Sequence, residues 1–479
     1  MPHIEKEQRL RPLKRLSDEM KEQGLDIARE LLRERYFTNL KHSNDLFVGI
    51  ELELPIVHLT GEAVDFSVVF ALFEALVDQL PLSIEKTDAH GQAIQLVSDE
   101  NEDRILFEVG YNTIEFAFDK AETIGQVETR FATYLAVIQP FLRDRNHLLT
   151  GFGVNPFWDK NDNRPVASPR YEMLMAYLQL GAAREDVQVR QSNYGAFIQG
   201  SQIQLDVTAE NLVPTLNSFN AIEPIKAWLF ANSYLWHGQL DTLISRDVFW
   251  EGSMHGVFPE NTGVFPAAFA DSEAFLDYLT QTALFTRSSE TGAYYFEPIQ
   301  ALDYFNHDEI PAFDLDGNDL VLTPSPYDFK DHRSYHYQTL TTRGTVEFRS
   351  SCAQPISESF SVAAFHLGLI QALPDFEALV AHHAFYDDYG RDYRQLRRRF
   401  SAPELSSEEI ADVANFAENL LDLAKSGLAK RGFGEASYLA PLYQRLETKE
   451  NPAIKALHLL EAGKTLSEIS EIFADGKDI

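Results

Sequence analysis

Cysteine is almost missing from this chain of 479 residues. Cys352 is the only one, so no intrachain disulfide can form and no cysteine-based zinc site can be built. Positive charge is scarce too: lysine and arginine number 41 against 73 aspartates and glutamates, a formal net charge of -32 at pH 7. A field of that sign repels polyanions, which argues against nucleic acid or an anionic membrane surface as partner. An anionic substrate would need a locally basic pocket inside an acidic molecule. Apolar runs of about 18 residues are absent, and Met1–Gly24 is charged, with no apolar h-region. The expectation is a soluble, cytoplasmic protein without a membrane partner. The usual short signatures fail as well. Gly463-Lys464-Thr465 ends like a P-loop, but His458 stands where that motif needs glycine. Gly151-Phe152-Gly153 lacks the third glycine of a dinucleotide fingerprint. Asp314 to Asp319 lacks EF-hand spacing and reads as a turn. His382-His383 falls in a helical region and suits a structural role, and no Gly-x-Ser-x-Gly elbow occurs. No repeat, low-complexity tract or Gly/Ser linker divides the chain, so its halves are expected to pack as one unit.

What is present is apolar surface. With 44% hydrophobic and 12% aromatic residues, the chain can bury a large globular core. Helical spacing marks residues 4–36, where Leu10, Leu13, Leu16, Met20, Leu25, Ala28 and Leu32 recur among charges. It marks Val64–Leu80 with Asp65 as N-cap, then 123–146, 169–181 and a buried-looking helix at 221–236. Strands are predicted at 46–57, in a hairpin over Arg104–Phe118 that turns near Gly110–Asn112, across Tyr194–Val207 and at 344–350. The stretch 250–335, rich in aromatics, glycine and proline, reads as irregular loops and short strands. From Ser357 onward the pattern is almost entirely helical, and Ser406-Ser407-Glu408-Glu409 resembles a helix start.

Four of the strand segments carry the chemistry. Gly49-Ile50-Glu51-Leu52-Glu53-Leu54, Thr113-Ile114-Glu115-Phe116, Gln202-Ile203-Gln204-Leu205-Asp206 and Thr345-Val346-Glu347-Phe348-Arg349 alternate apolar with polar residues at period two. One face of each is fit for burial, and the other presents carboxylates, amides or a guanidinium. Each glutamate interrupts residues that look deeply buried, among them Phe47, Ile50, Leu106, Phe107, Phe116, Val346 and Phe348. A buried carboxylate without a partner costs several kcal/mol, roughly. In one sheet these carboxylates would gather and repel one another unless cations sat among them. Magnesium prefers hard oxygen ligands supplied by carboxylates and substrate phosphates. Glutamate-bearing strands without a P-loop therefore suggest an ATP site built on a sheet.

These residues carry a resemblance. Gly49-Ile-Glu51-Leu-Glu53 is similar to the opening Gly-x-Glu-x-Glu strand of the glutamate–cysteine ligases and their carboxylate–amine ligase relatives. Phe107-Glu108-Val-Gly-Tyr-Asn-Thr-Ile-Glu115-Phe resembles their Glu-Pro-Gly-Gly-Gln-x-Glu hairpin, with one extra residue and Val109 in place of proline. Ser201-Gln-Ile-Gln-Leu-Asp206 resembles their Gln-Val-Asn-Leu-Asp strand. Ala231-Asn-Ser233, Ser245-Arg246 and Trp250 resemble an Ala-Asn-Ser-Pro…Ser-x-Arg…Trp block in which Tyr234 replaces proline. Gly344-Thr-Val-Glu-Phe-Arg349 resembles the closing Gly-Thr-Leu-Glu-x-Arg strand, and Cys352 follows where relatives often carry aspartate. The matches keep family order over about residues 47–354.

The resemblance implies an α+β fold of the glutamine synthetase type, its mainly antiparallel curved sheet carrying the active site and packed with helices. The catalytic region would be 1–355, with a helical part at 356–479 packed on the same domain. It implies ATP and Mg2+, with Glu51, Glu53, Glu108, Glu115 and Glu347 as metal candidates. Arg349 would face the phosphates, and Gln202 and Gln204 would line the nucleotide side. Arg246 would meet the glutamate substrate or the transferred phosphoryl group, a surface salt bridge being its alternative. The implied reaction joins the γ-carboxyl of L-glutamate to the amine of L-cysteine through an acyl phosphate, the first step of glutathione synthesis. A different amine acceptor, and a catalytically silent binding protein, are the alternatives. Oligomeric state is not encoded in any of these patterns.

Overall fold

Period-two alternation builds the centre of the molecule. The computed structural model describes residues 18–43, 45–289 and 292–475. Its strands are β1 (Val48–His58), β2 (Leu82–Thr87), β3 (Ala93–Ser98), β4 (Arg104–Phe107), β5 (Thr113–Ala117), β6 (His147–Leu149) and β7 (Ser201–Asp206). Then follow β8 (Thr262–Gly263), β9 (Ala283–Ser289), β10 (Gly292–Gln300), β11 (Ile310–Phe313) and β12 (Asp319–Leu322). The last are β13 (Tyr335–His336), β14 (Gln338–Leu340) and β15 (Thr345–Phe348). The main sheet runs β14-β15-β7-β1-β5-β4-β3-β2, with β6 on the far end of β1. Every pairing in it is antiparallel.

The helices are α1 (Asp18–Phe37), α2 (Phe66–Gln79), α3 (Ile124–Arg143), α4 (Pro169–Gln179), α5 (Leu212–Ala221), α6 (Glu223–Phe230), α7 (Ser245–Gly252), α8 (Ser272–Leu279) and α9 (Ala301–Tyr304). The C-terminal part adds α10 (Phe360–Gln371), α11 (Leu373–His382), α12 (Phe385–Tyr389), α13 (Tyr393–Phe400), α14 (Ser407–Arg431), α15 (Ala440–Thr448), α16 (Pro452–Glu461) and α17 (Leu466–Asp475). Local signals set several boundaries. Asp65 caps α2 by accepting from the Ser67 backbone N–H, and Ser406 with Glu409 forms a reciprocal capping box on α14.

Helices cover the apolar face of the sheet. Phe107 of β4 stacks on Phe73 of α2 at 4.1 Å, Phe116 of β5 meets Phe131 of α3, and Phe348 of β15 meets His366 of α10. Helix α10 is buried along nearly its whole length between the sheet and α14. It approaches α14 through two glycines. A Cβ on Gly368 would lie 2.3 Å from the Ala424 carbonyl oxygen, and one on Gly427 would lie 2.0 Å from that of Gly368. No single helix among the described residues is long and apolar enough to cross a membrane.

Some expectations fail for reasons of distant packing. The helix predicted at 221–236 is only α6: the chain turns extended at Ala231, and the Asn232 amide donates to the carbonyls of Gly151 and Ala353. The region predicted as irregular holds α8 and a second antiparallel sheet, β12-β11-β10-β9. Tyr194–Ala196 is a short helical turn, and the strand predicted there is confined to β7. In α1 the buried stripe is Ala28, Leu32 and Tyr36, while Leu25 is exposed; Leu10, Leu13 and Leu16 lie outside the described residues.

Candidate active site

The polar face of the main sheet forms the floor of a cleft of about 850 Å³. Register brings the chemistry together. Glu53 of β1 sits opposite Glu115 of β5, Glu51 opposite Gln202 of β7, and Glu347 of β15 opposite Gln204. Like charges directly opposed across a ladder destabilise it, so the sheet carries an electrostatic load at its centre. Glu51, Glu53, Glu108, Glu115, Glu347, Gln202, Gln204, Arg246 and Arg349 all line this one cleft.

Four of the five glutamates are tethered. Glu53 accepts from the Gly200 backbone N–H at 2.6 Å and from Gln202 Nε2 at 2.7 Å. Gln204 Nε2 donates to Glu51 at 2.7 Å, and its carbonyl oxygen accepts from Arg343 at 2.7 Å. The two glutamines thus act first as braces for glutamates. Glu108 accepts from the Tyr171 hydroxyl at 2.6 Å, and Glu347 is ion-paired with Arg349. Arg246, from α7, makes no surface salt bridge. It is buried, Nη1 donating to the Ser351 carbonyl at 3.0 Å and Nη2 to that of Arg349 at 3.4 Å.

Burial and crowding make three of these acids harder to ionise. Glu51 is pushed up to about 8, first by burial and then by the charge of Glu347. Glu53 is pushed up to about 7 by burial, which Arg246 partly offsets. Glu115 is raised well above the ordinary carboxylate range by burial and then by Glu108, Glu51 and Glu53. Positive charge entering the cleft would favour the ionised form of all three. They share a cleft rather than a single ligation point. As the side chains stand, no three His, Cys, Asp or Glu residues among those described are placed to hold one metal ion. The oxygens of Glu53, Glu51, Glu108 and Glu347 are engaged instead by Gly200, the two glutamines, Tyr171 and Arg349.

The cleft also holds residues that the sequence reading missed. Arg170 and Tyr171 come from the first turn of α4, and Arg333, Arg343 and Lys41 add positive charge. Nine lysines and arginines face eight aspartates and glutamates in the lining, so the cleft is close to charge balance inside a strongly acidic protein and offers cations to an anionic substrate. Pro169 at the start of α4 was the one available signal, since proline at the first helical position marks a helix end and the residues beside it. One end of the cleft is aromatic: Trp250 stacks on Tyr335 at 4.8 Å, and His255 lies 4.2 Å from Tyr335. Phe47, expected to be buried, is 37% exposed at the cleft with Lys120 over its ring.

Comparison with known proteins agrees with this reading of the motifs. The profile described as "Glutamate-cysteine ligase family 2 (GCS2)" matches residues 47–468. A chloroplastic glutamate–cysteine ligase of Arabidopsis thaliana is 23% identical over 359 residues, covering 73% of this chain and 65% of that protein. Chloroplastic glutamate–cysteine ligase A of Oryza sativa subsp. indica is 22% identical over 357 residues, covering 71% and 66%. The chain thus spans just under two thirds of the length of these curated relatives. A crystal structure of glutamate–cysteine ligase from Francisella tularensis in complex with AMP is 12% identical, covering 91% of this chain and 89% of that one, with a TM-score of 0.49. With 422 consecutive positions inside the profile's span of 47–468, the chain belongs to glutamate-cysteine ligase family 2.

Proposed function

We propose that this protein is an ATP-dependent carboxylate–amine ligase that joins the γ-carboxyl of L-glutamate to the amine of L-cysteine, giving γ-glutamylcysteine. The observation that carries the reading is the register of four strands. It sets Glu53 against Glu115, Glu51 against Gln202 and Glu347 against Gln204, beside Arg246 and Arg349 in one cleft. Family membership and the activity named for the relatives support glutamate and cysteine as the substrates.

In this reading a γ-carboxylate oxygen of glutamate bonds to the γ-phosphorus of ATP while the bridge to ADP breaks. The amine nitrogen then bonds to the acyl carbon, phosphate leaves with the bridging oxygen, and the amine loses a proton. Phosphoryl transfer depends on positioning and charge neutralisation more than on covalent help. Magnesium held through some of Glu51, Glu53, Glu108, Glu115 and Glu347, with phosphates and water completing its shell, would neutralise charge on the phosphate oxygens. The donor set fits, because crowded carboxylates that resist ionisation are relieved by a cation. Arg349 presents a planar fork suited to phosphate oxygens, and its Nε is buried without a partner among the described residues. The Nε of Arg246 is in the same state, which suits a second anionic group. Gln202 and Gln204 keep Glu53 and Glu51 aimed into the cleft.

A second reading keeps the chemistry and changes the amine. It is favoured by the aromatic lining of Trp250, His255 and Tyr335, which suits an amine with an apolar group. ATP turnover with glutamate and a panel of amines tests both. ADP release stimulated by cysteine supports the first, release stimulated only by another amine supports the second, and release with none contradicts the ligase.

A further inference from the structure

The segments that carry Arg246 and Arg349 are held from behind by a buried network that includes the C-terminal helix α13. Arg397 of α13 is 2% exposed, and its guanidinium is fully engaged. Nε and Nη2 donate to the two Asp247 oxygens at 2.7 and 3.1 Å. Nη1 donates to Glu223 Oε2 at 2.6 Å and to the Glu223 carbonyl at 3.3 Å, and Nη2 also donates to the Ser350 carbonyl at 3.1 Å. Glu223 in turn accepts from Lys226 at 2.7 Å, from Gln338 at 2.5 Å and from the Ser350 hydroxyl at 3.0 Å. Two acids and two bases balance one another here, away from the cleft.

What this network touches is specific. Three consecutive carbonyls follow β15, and two guanidiniums share them: Arg246 takes those of Arg349 and Ser351, and Arg397 takes that of Ser350. Asp247, the bidentate partner of Arg397, follows Arg246 in α7. One side chain therefore ties down both the segment that carries Arg349 and the helix that carries Arg246. Arg246 is further confined by Gly200, where an added Cβ would lie 2.5 Å from Nη2, and the Gly200 N–H is the one that holds Glu53. A charge-balanced buried cluster is no cheaper than an apolar core of the same volume. Its value lies in fixing one arrangement.

We propose that Arg397 is a positioning residue, which through Asp247 and the Ser350 carbonyl holds Arg246 and Arg349 in the orientation that binds the anionic substrate groups. This rests on the ligase reading of those two arginines. Substitution of a saturated planar fork by a single ammonium breaks the shared hold without removing charge. Arg397→Lys is expected to lower kcat for ADP release at least tenfold while circular dichroism stays native.

The discriminating experiment is a double-mutant cycle with Arg349→Lys. If Arg397 acts through Arg349, Arg397→Lys costs at least threefold less in the Arg349→Lys background than in the wild type. Equal losses in both backgrounds mean a general structural role and overturn the proposal. Asp247→Asn carries the same test if Arg397→Lys fails to fold: native circular dichroism with a fivefold or larger loss of kcat supports the positioning role, and native circular dichroism with unchanged kcat overturns it. Should Arg349→Lys alone leave kcat unchanged, the ligase reading of Arg349 falls first and takes the proposal with it. If Arg349→Lys is impaired and Arg397→Lys is not, only the positioning role fails.

Discussion

Replacing Glu51 by glutamine should stabilise the metal-free protein while removing its activity. Moving a carboxyl from 4.5 to about 8 corresponds to about 5 kcal/mol, at roughly 1.4 kcal/mol per pH unit. This is an upper bound, because water in the cleft relaxes part of it. The sign follows from proton counting. Between pH 4.5 and about 8, the folded protein keeps the Glu51 proton that the unfolded chain has released, so stability falls as pH rises through that window. Glutamine has no proton to lose and still accepts from Gln204. Its charge-free side chain also relieves Glu115, which Glu51 helps to hold protonated. With an unfolding entropy of about 2.1 cal/mol/K per residue, a chain of this length shifts Tm by about 1 °C per kcal/mol. Glu51→Gln should therefore match wild type near pH 4.5, gain steadily to pH 8, and stay about 2–5 °C higher above it. Scanning calorimetry across that pH range, without divalent cation, measures the difference. A variant less stable than wild type at pH 8.5 would refute the claim that Glu51 is held in a strained, crowded site.

Glu347→Gln should keep the fold and lose ATP-dependent ligation, read as ADP release at saturating magnesium; full activity would remove Glu347 from the site. Arg349→Lys keeps charge but loses the fork, so kcat should fall at least tenfold, about 1.4 kcal/mol or more in the barrier. An unchanged kcat would place Arg349 outside the chemistry. Gly368→Ala drives a methyl against the α14 backbone and should cost about 1–3 kcal/mol, a drop of roughly 1–3 °C in Tm; an unaltered Tm would mean the two helices are not in that contact.

Features encoded over a few residues were legible in the sequence. Alternation at Glu51, Glu53, Glu115 and Glu347 is a local pattern, and it pointed to the strands and the cleft face they share. Asp65, Ser406 and Glu409 announced helix ends through bonds spanning three residues or fewer. What escaped depends on residues far apart in the chain. The end of α6 at Ala231 is set by Asn232 reaching Gly151 and Ala353. Arg333 and Tyr335 reach the cleft from an aromatic-rich stretch whose composition concealed the β9–β12 sheet. The buried pairing of Arg397 with Glu223 and Asp247 joins positions about 150 or more residues apart. Even the carboxylates were only partly foreseen. Pattern showed that they converge, but not that Gln202, Gln204 and Tyr171 donate to Glu53, Glu51 and Glu108.

The central claim is that a carboxylate is activated by phosphorylation before an amine takes its place. L-Glutamate labelled with oxygen-18 in the γ-carboxyl, incubated with the protein, Mg-ATP and L-cysteine, tests it in a single mass-spectrometric measurement. The account requires γ-glutamylcysteine and ADP to form together, with one labelled oxygen passing into each inorganic phosphate released, because the oxygen that attacked phosphorus departs with it. Phosphate carrying no label, or ADP formed at the same rate without glutamate, would contradict it.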